Sequence, residues 1–140
     1  AHHDLRGVNA NYCQGESSGA RAVIEGMLAV AEGRAELALA GASDSWIRAQ
    51  GLLGTRLAGE GAAFFLFRPA SPGDPWQVNM EDGATEARVP GREEASLGFL
   101  GAAGDVVAMA RALWRGEEAA VELSGGRRVS ISPAGADFSS

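Results

Sequence analysis

The sequence predicts an α/β domain, a mixed sheet with buried central helices, and three observations predict it. First, 140 residues that are 46% hydrophobic and 21% charged have the balance of one globular domain with a sizeable core. Second, a helical pattern over Ser17–Gly33 lies between two short apolar segments, a strand–helix–strand unit within about thirty residues, so its strands are expected to be parallel. Third, a second helical pattern over Gly101–Gly116 is rich in alanine and glycine on faces where larger side chains would hold elements apart. The whole chain, 1–140, reads as a single domain.

Val8–Cys13 opens the pattern as a short strand ending at the Gln14-Gly15 turn. In Ser17–Gly33, Ala20, Val23, Ile24, Met27, Leu28 and Ala31 recur at three- and four-residue spacing, and Gly33 stands where a C-terminal cap belongs. Glu36–Gly41 reads as a strand buried on both faces. Ala42–Gly59 is less regular, with one helical turn around Trp46–Leu53. Ala62–Phe67 is another buried strand, ended by Arg68-Pro69. Pro69–Pro90 holds four of the five prolines and several acids, so 69–95 is expected to be a surface loop region. In Gly101–Gly116, Ala103, Val106, Val107, Ala110, Leu113 and Trp114 fall on one side. Ala119–Leu123 and Arg128–Ser132 flank Ser124-Gly125-Gly126 as a hairpin, and the tail from Pro133 is expected to fray.

Charge and cysteine content narrow the function. All twelve basic residues are arginines, and the net charge of −6 argues against a nucleic-acid partner. The single cysteine, Cys13, excludes an internal disulfide and a cysteine-built zinc site, and no metal or cofactor is expected. No apolar run reaches membrane-spanning length, and the start resembles neither a signal nor a transit peptide. The expectation is a cytoplasmic protein without a membrane partner.

Two motifs suggest catalysis. Gly15-Glu16-Ser17-Ser18-Gly19 fits Gly-x-Ser-x-Gly, the nucleophile elbow of α/β-hydrolases. That chemistry needs a histidine after the serine, and the only histidines, His2 and His3, precede it. Small residues at the mouth of a tightly packed helix are the better reading. Cys13 with His2 or His3 would make a thiol dyad, but a lone cysteine in a strand is more often a small buried hydrophobe.

Three segments in order resemble the β-ketoacyl synthases, enzymes of the thiolase fold. Glu16-Ser17-Ser18-Gly19-Ala20 occupies the family's Cys-x-Ser-Gly-Ala, with Leu39-Ala40-Gly41-Ala42 at the end of the following strand. Gly59-Glu60-Gly61-Ala62 matches its Gly-Glu-Gly-Ala. Leu100-Gly101-Ala102-Ala103-Gly104 matches the segment after its His-Thr. The resemblance implies a partial thiolase-like fold. It departs where the chemistry resides: Glu16 stands at the nucleophilic cysteine, Gly98 at a histidine and Phe99 at the threonine, and the second His-Gly-Thr segment has no counterpart. A ketosynthase cysteine works because a helix N-terminus stabilises its thiolate. A carboxylate there is a poor acyl acceptor, so the resemblance implies no catalytic residue and a chain inactive alone.

Inactive ketosynthase homologues of the chain-length-factor type pair with an active ketosynthase, and the same is expected here in fatty acid or polyketide biosynthesis. An active ketosynthase subunit or a homodimer mate, together with acyl carrier protein, are the implied partners. In this fold the strand before the nucleophile pairs across the dimer axis, which makes Val8, Asn9, Ala10, Asn11 and Tyr12 the interface. A second reading is a fragment of a larger acyl-condensing enzyme whose remaining catalytic residues lie on another chain or segment. Glu16 reads equally as a helix cap or a lining of an acyl tunnel, and Gly98 as a loop glycine or a lost histidine.

Overall fold

The computed structural model describes residues 6–7, 9–13, 15–82, 98–123 and 127–134. A 3-10 turn at Gly15–Ser17 leads into α1 (Ser18–Ala31), followed by β1 (Ala38–Ser45), a 3-10 turn at Ile47–Leu52, β2 (Glu60–Phe67) and β3 (Trp76–Asp82). A third 3-10 turn, Gly101–Ala103, opens α2 (Gly104–Trp114), and β4 (Ala119–Leu123) and β5 (Arg127–Pro133) complete the order. The class is mixed α/β, but the strands form two small antiparallel sheets, β1-β2 and β3-β5-β4, where one mixed sheet was expected.

The helices lie between the sheets. α1 packs on β1 and β2 and reaches β4, while α2 packs on β2 and touches β4 and β5. Their shared core is Val23, Ile24, Val106 and Met109, all fully buried, closed by Phe67 from one sheet and Val129 and Ile131 from the other. The two helices pack on one another as expected, but each keeps a solvent-facing side, and Trp114, expected on the apolar side of the second helix, is 92% exposed.

α1 forms because its apolar residues recur on one face, with Arg21 and Glu25 paired at 3.1 Å on the outer face. It ends in a Schellman motif: the Arg34 N–H donates to the Ala29 carbonyl (2.8 Å) and the Gly33 N–H to Val30 (3.1 Å). Gly33, at φ +71, adopts the left-handed conformation that this stop requires.

In the β1-β2 pair, Ala38 faces Phe67, Ala40 faces Phe65 and Ala42 faces Ala63 on the helix side. Leu39 opposite Leu66 and Gly41 opposite Phe64 form the outer face, where Leu39, Phe64 and Leu66 are 64%, 55% and 65% exposed. Glu36–Gly41 was expected to be covered on both faces; only one is. The strand also begins two residues later and runs on to Ser45, because the ladder to β2 carries Ser43, Asp44 and Ser45, which have little β preference of their own.

Two further expectations are corrected. Asn9–Cys13, the described part of the expected strand Val8–Cys13, belongs to neither sheet. Its two asparagines are poor strand formers and no described strand pairs with it, so the parallel unit with β1 does not form among the described residues and β1 pairs with β2 instead. The 69–95 region is not wholly loop: Trp76–Asp82 is β3, in register with β5 from Trp76 opposite Pro133 to Asp82 opposite Arg127. Trp76, Val78 and Met80 alternate with polar residues, a strand signal masked by the flanking prolines. Residues 83–97 lie outside the described ones, as do Ser124–Gly126 of the expected hairpin turn, whose two strands pair as expected.

Candidate functional site

The two helices begin side by side. The turn carrying Glu16 packs against the turn Gly101–Ala103 that opens α2, so the Glu16 segment and the segment following Gly98 meet at one end of the helix layer. A small residue makes this possible: a Cβ on Gly19 would stand 2.5 Å from the Ala102 carbonyl oxygen and 3.0 Å from Val106 Cγ1. At this junction Glu16 is half-buried, Ser17 is exposed, and the Ser18 hydroxyl is turned back to donate to the Gly15 carbonyl at 2.8 Å. Asp105, buried in the first turn of α2, adds a second acidic side chain. Two helix N-termini thus converge, each with a carboxylate near its positive end.

Asp44, at the end of β1, ties the sheet to this junction. Its Oδ2 accepts the Ala102 N–H (2.9 Å) and the Trp46 indole N–H (3.1 Å), and Oδ1 accepts the Ser45 N–H (2.9 Å). Trp46 meets Phe99 edge to face at 5.0 Å between centroids, and the Arg56 guanidinium lies over Phe99 at 4.2 Å. Sequence reading did not single out Asp44, Trp46 or Arg56. The available signal was the polar run Ser43-Asp44-Ser45 directly after an apolar strand.

Gly98 is a backbone requirement. It adopts φ +76, and a Cβ there would stand 2.9 Å from the carbonyl carbon and oxygen of Ala58 and 3.0 Å from the Gly59 nitrogen. Of its two readings, loop glycine or lost histidine, this geometry favours the loop glycine. Phe99, next to it, forms a parallel bridge to Ala58 and is buried.

The other candidates are placed as follows. Cys13 is exposed and lies outside the sheets, a correction to its expected burial in a strand. Ser17 stands at the start of α1 as the hydrolase motif requires, and His2 and His3 lie outside the described residues. Of the expected interface residues, Asn9, Ala10 and Asn11 are exposed and Tyr12 is half-buried, its ring 5.9 Å from the Arg21 guanidinium carbon; Val8 lies outside the described residues. Among the described residues no cluster of three or more His, Cys, Asp or Glu could hold a metal ion, and no helix is long and apolar enough to cross a membrane.

Compared with family models, curated proteins and solved structures, the chain matches none.

Proposed function

We propose that the chain is a catalytically degenerate ketosynthase-like subunit of partial thiolase-like fold, which pairs with an active β-ketoacyl synthase served by acyl carrier protein in fatty acid or polyketide biosynthesis. One observation carries this reading. The segment at the nucleophile position and the segment at a histidine position, distant in sequence, converge at two helix N-termini. The first bears a carboxylate, Glu16, and the second a glycine with no room for a side chain, Gly98. A helix N-terminus that would hold a thiolate instead carries a fixed negative charge, which retains the favourable dipole interaction and removes the nucleophile.

In this reading Val8–Tyr12 is the pairing strand. Its described residues, Asn9–Tyr12, pair with no described strand, and a mate would supply a ladder. A second reading, a fragment of a larger acyl-condensing enzyme, is favoured by the uncovered outer face of β1-β2, which such an enzyme would cover.

Intact-protein mass spectrometry after exposure to acyl-carrier thioesters tests the proposal. The wild-type mass is expected to stay unchanged, whereas Glu16→Cys is expected to gain one acyl group because the helix N-terminus lowers the thiol pKa. An adduct on wild-type Cys13 or Ser17 overturns the degenerate reading. A Glu16→Cys chain that reacts no faster than Cys13 overturns the assignment of the nucleophile position.

A further inference from the structure

β3 is an edge strand. Among the described residues it pairs with β5 along one side only, as the outer strand of β3-β5-β4. Its helix-facing side chains also outrun their cover. Residues opposite each other in an antiparallel pair point to the same face, and on that face Val129 and Ile131 of β5 are buried in the core shared with the two helices. Met80 and Val78, directly opposite them, are 39% and 37% exposed, and Trp76 at the end of the row is 37% exposed. The helices pack over β4 and β5 and leave the apolar row of β3 overhanging.

Edge strands are commonly blunted by lysine, proline, a bulge or charges along their length. Trp76–Asp82 contains no lysine, proline or glycine, and its seven pairs with β5 run without a bulge. Its two charges, Glu81 and Asp82, sit together at one end. That asymmetry makes the strand complementary to its own antiparallel copy. With a two-fold axis at Asn79, the middle residue, Val78 comes opposite Met80 of the second copy and Gln77 opposite its Glu81. Position 76 meets 82, and Asn79 meets Asn79. Every such pair joins residues of the same face, and no acidic position meets another.

We propose that β3 is a self-association edge, through which two copies of this chain pair antiparallel along Trp76–Asp82 and join their three-stranded sheets into one of six strands. The axis stands perpendicular to the sheet, so the helix layers of both copies lie on one side. The two overhanging rows of Trp76, Val78 and Met80 then meet at the seam and cover one another. The backbone ladder carries most of the affinity. A seven-residue strand edge buries less than the roughly 800 Å² per partner of a standard interface, so the dimer forms reversibly. The proposal does not depend on the ketosynthase-like reading, which places a mate along Val8–Tyr12.

Sedimentation velocity of the whole chain over a concentration series tests it, with two lysine substitutions that change the net charge equally. Gln77 and Asn79 are both exposed and lie opposite Ser132 and Ser130 of β5, so each position accepts a lysine, and circular dichroism confirms that both variants fold. Asn79→Lys sets two lysines opposite each other on the axis and is expected to weaken the dimer about threefold or more. Gln77→Lys sets each lysine opposite a Glu81 and is expected to tighten it about twofold or more. In hydrogen exchange, the amides of Trp76–Asp82 that do not bond to β5 are expected to gain protection as the concentration rises. A monomer at every concentration, a dimer that both lysines weaken alike, or a dimer indifferent to them, as pairing along Val8–Tyr12 would be, overturns the proposal. So does protection of β3 that does not vary with concentration, which would mean that the edge is covered within a single chain.

Discussion

Placing a side chain at position 98 asks whether this glycine is required by the backbone or is merely a vacated histidine. A non-glycine residue at φ +76 costs about 1–2 kcal/mol in local strain. The new Cβ also meets the Ala58 carbonyl at 2.9 Å and the Gly59 nitrogen at 3.0 Å, backbone atoms fixed by the hydrogen bonds to Phe99. Forcing that contact apart adds about 1–3 kcal/mol, as overpacking generally does. Gly98→Ala and Gly98→His should therefore each lose about 2–5 kcal/mol, a large share of the 5–15 kcal/mol typical of a domain. With an m-value of about 2 kcal/mol/M, the urea midpoint falls by about 1–2.5 M, readable from tryptophan fluorescence because Trp46 packs on Phe99. Gly116→Ala is the control: at φ +74 with nothing within 4 Å, it carries the strain without the contact and should lose only about 1–2 kcal/mol. If Gly98→Ala costs no more than Gly116→Ala, the Ala58 backbone yields freely, and the loop has room for the histidine that ketosynthases carry.

Substitutions at two further positions test the junction of the helices. Asp44→Ala removes the acceptor shared by Ala102 N–H and the Trp46 indole, and should cost about 2–3 kcal/mol with an altered Trp46 emission; Asp44→Asn, which keeps one carbonyl oxygen, should cost about half as much. Equal losses in thermal melts of the two variants would refute a role for the oxygen that asparagine retains. Gly19→Ala gains about 1 kcal/mol in helix propensity but places a Cβ 2.5 Å from the Ala102 carbonyl, so a net loss of about 1–2 kcal/mol is expected in urea titrations. A neutral or stabilised Gly19→Ala would mean that α1 and the opening turn of α2 can separate freely.

How much of this was legible in the sequence differs by element, for physical reasons. Helical periodicity located α1 to within two residues at each end, because its apolar stripe is long and Gly33 supplies the stop. The second helix was expected from Gly101, but its first turn is 3-10 and the α-helix begins at Gly104. Strand partners were less legible. An apolar segment such as Leu39–Gly41 indicates burial without saying which neighbour provides it, and the expected parallel partner, Asn9–Cys13, is not paired. β3 alternates correctly but lies among prolines, and β5 supplies the partner that makes it a strand. Within the site, Glu16 and Gly98 were noticed through a resemblance, and Gly98 gains its physical reason only from Ala58, forty residues earlier. Asp44 was beyond local reading, since its decisive hydrogen bond spans 58 positions to Ala102.

The junction of α1 and α2 also shows why a carboxylate is stable at the mouth of a helix. A helix N-terminus favours any anion by about 0.3–1 kcal/mol when partly exposed, whether the charge is a thiolate or a carboxylate. Two such termini meet here, and the turn packing is so close that Gly19 cannot carry a methyl group without pressing on Ala102. Bringing the positive ends of two helices together without negative charge would cost stability, so Glu16 and Asp105 offset the repulsion that the packing creates. This electrostatic need is independent of any chemistry at the site.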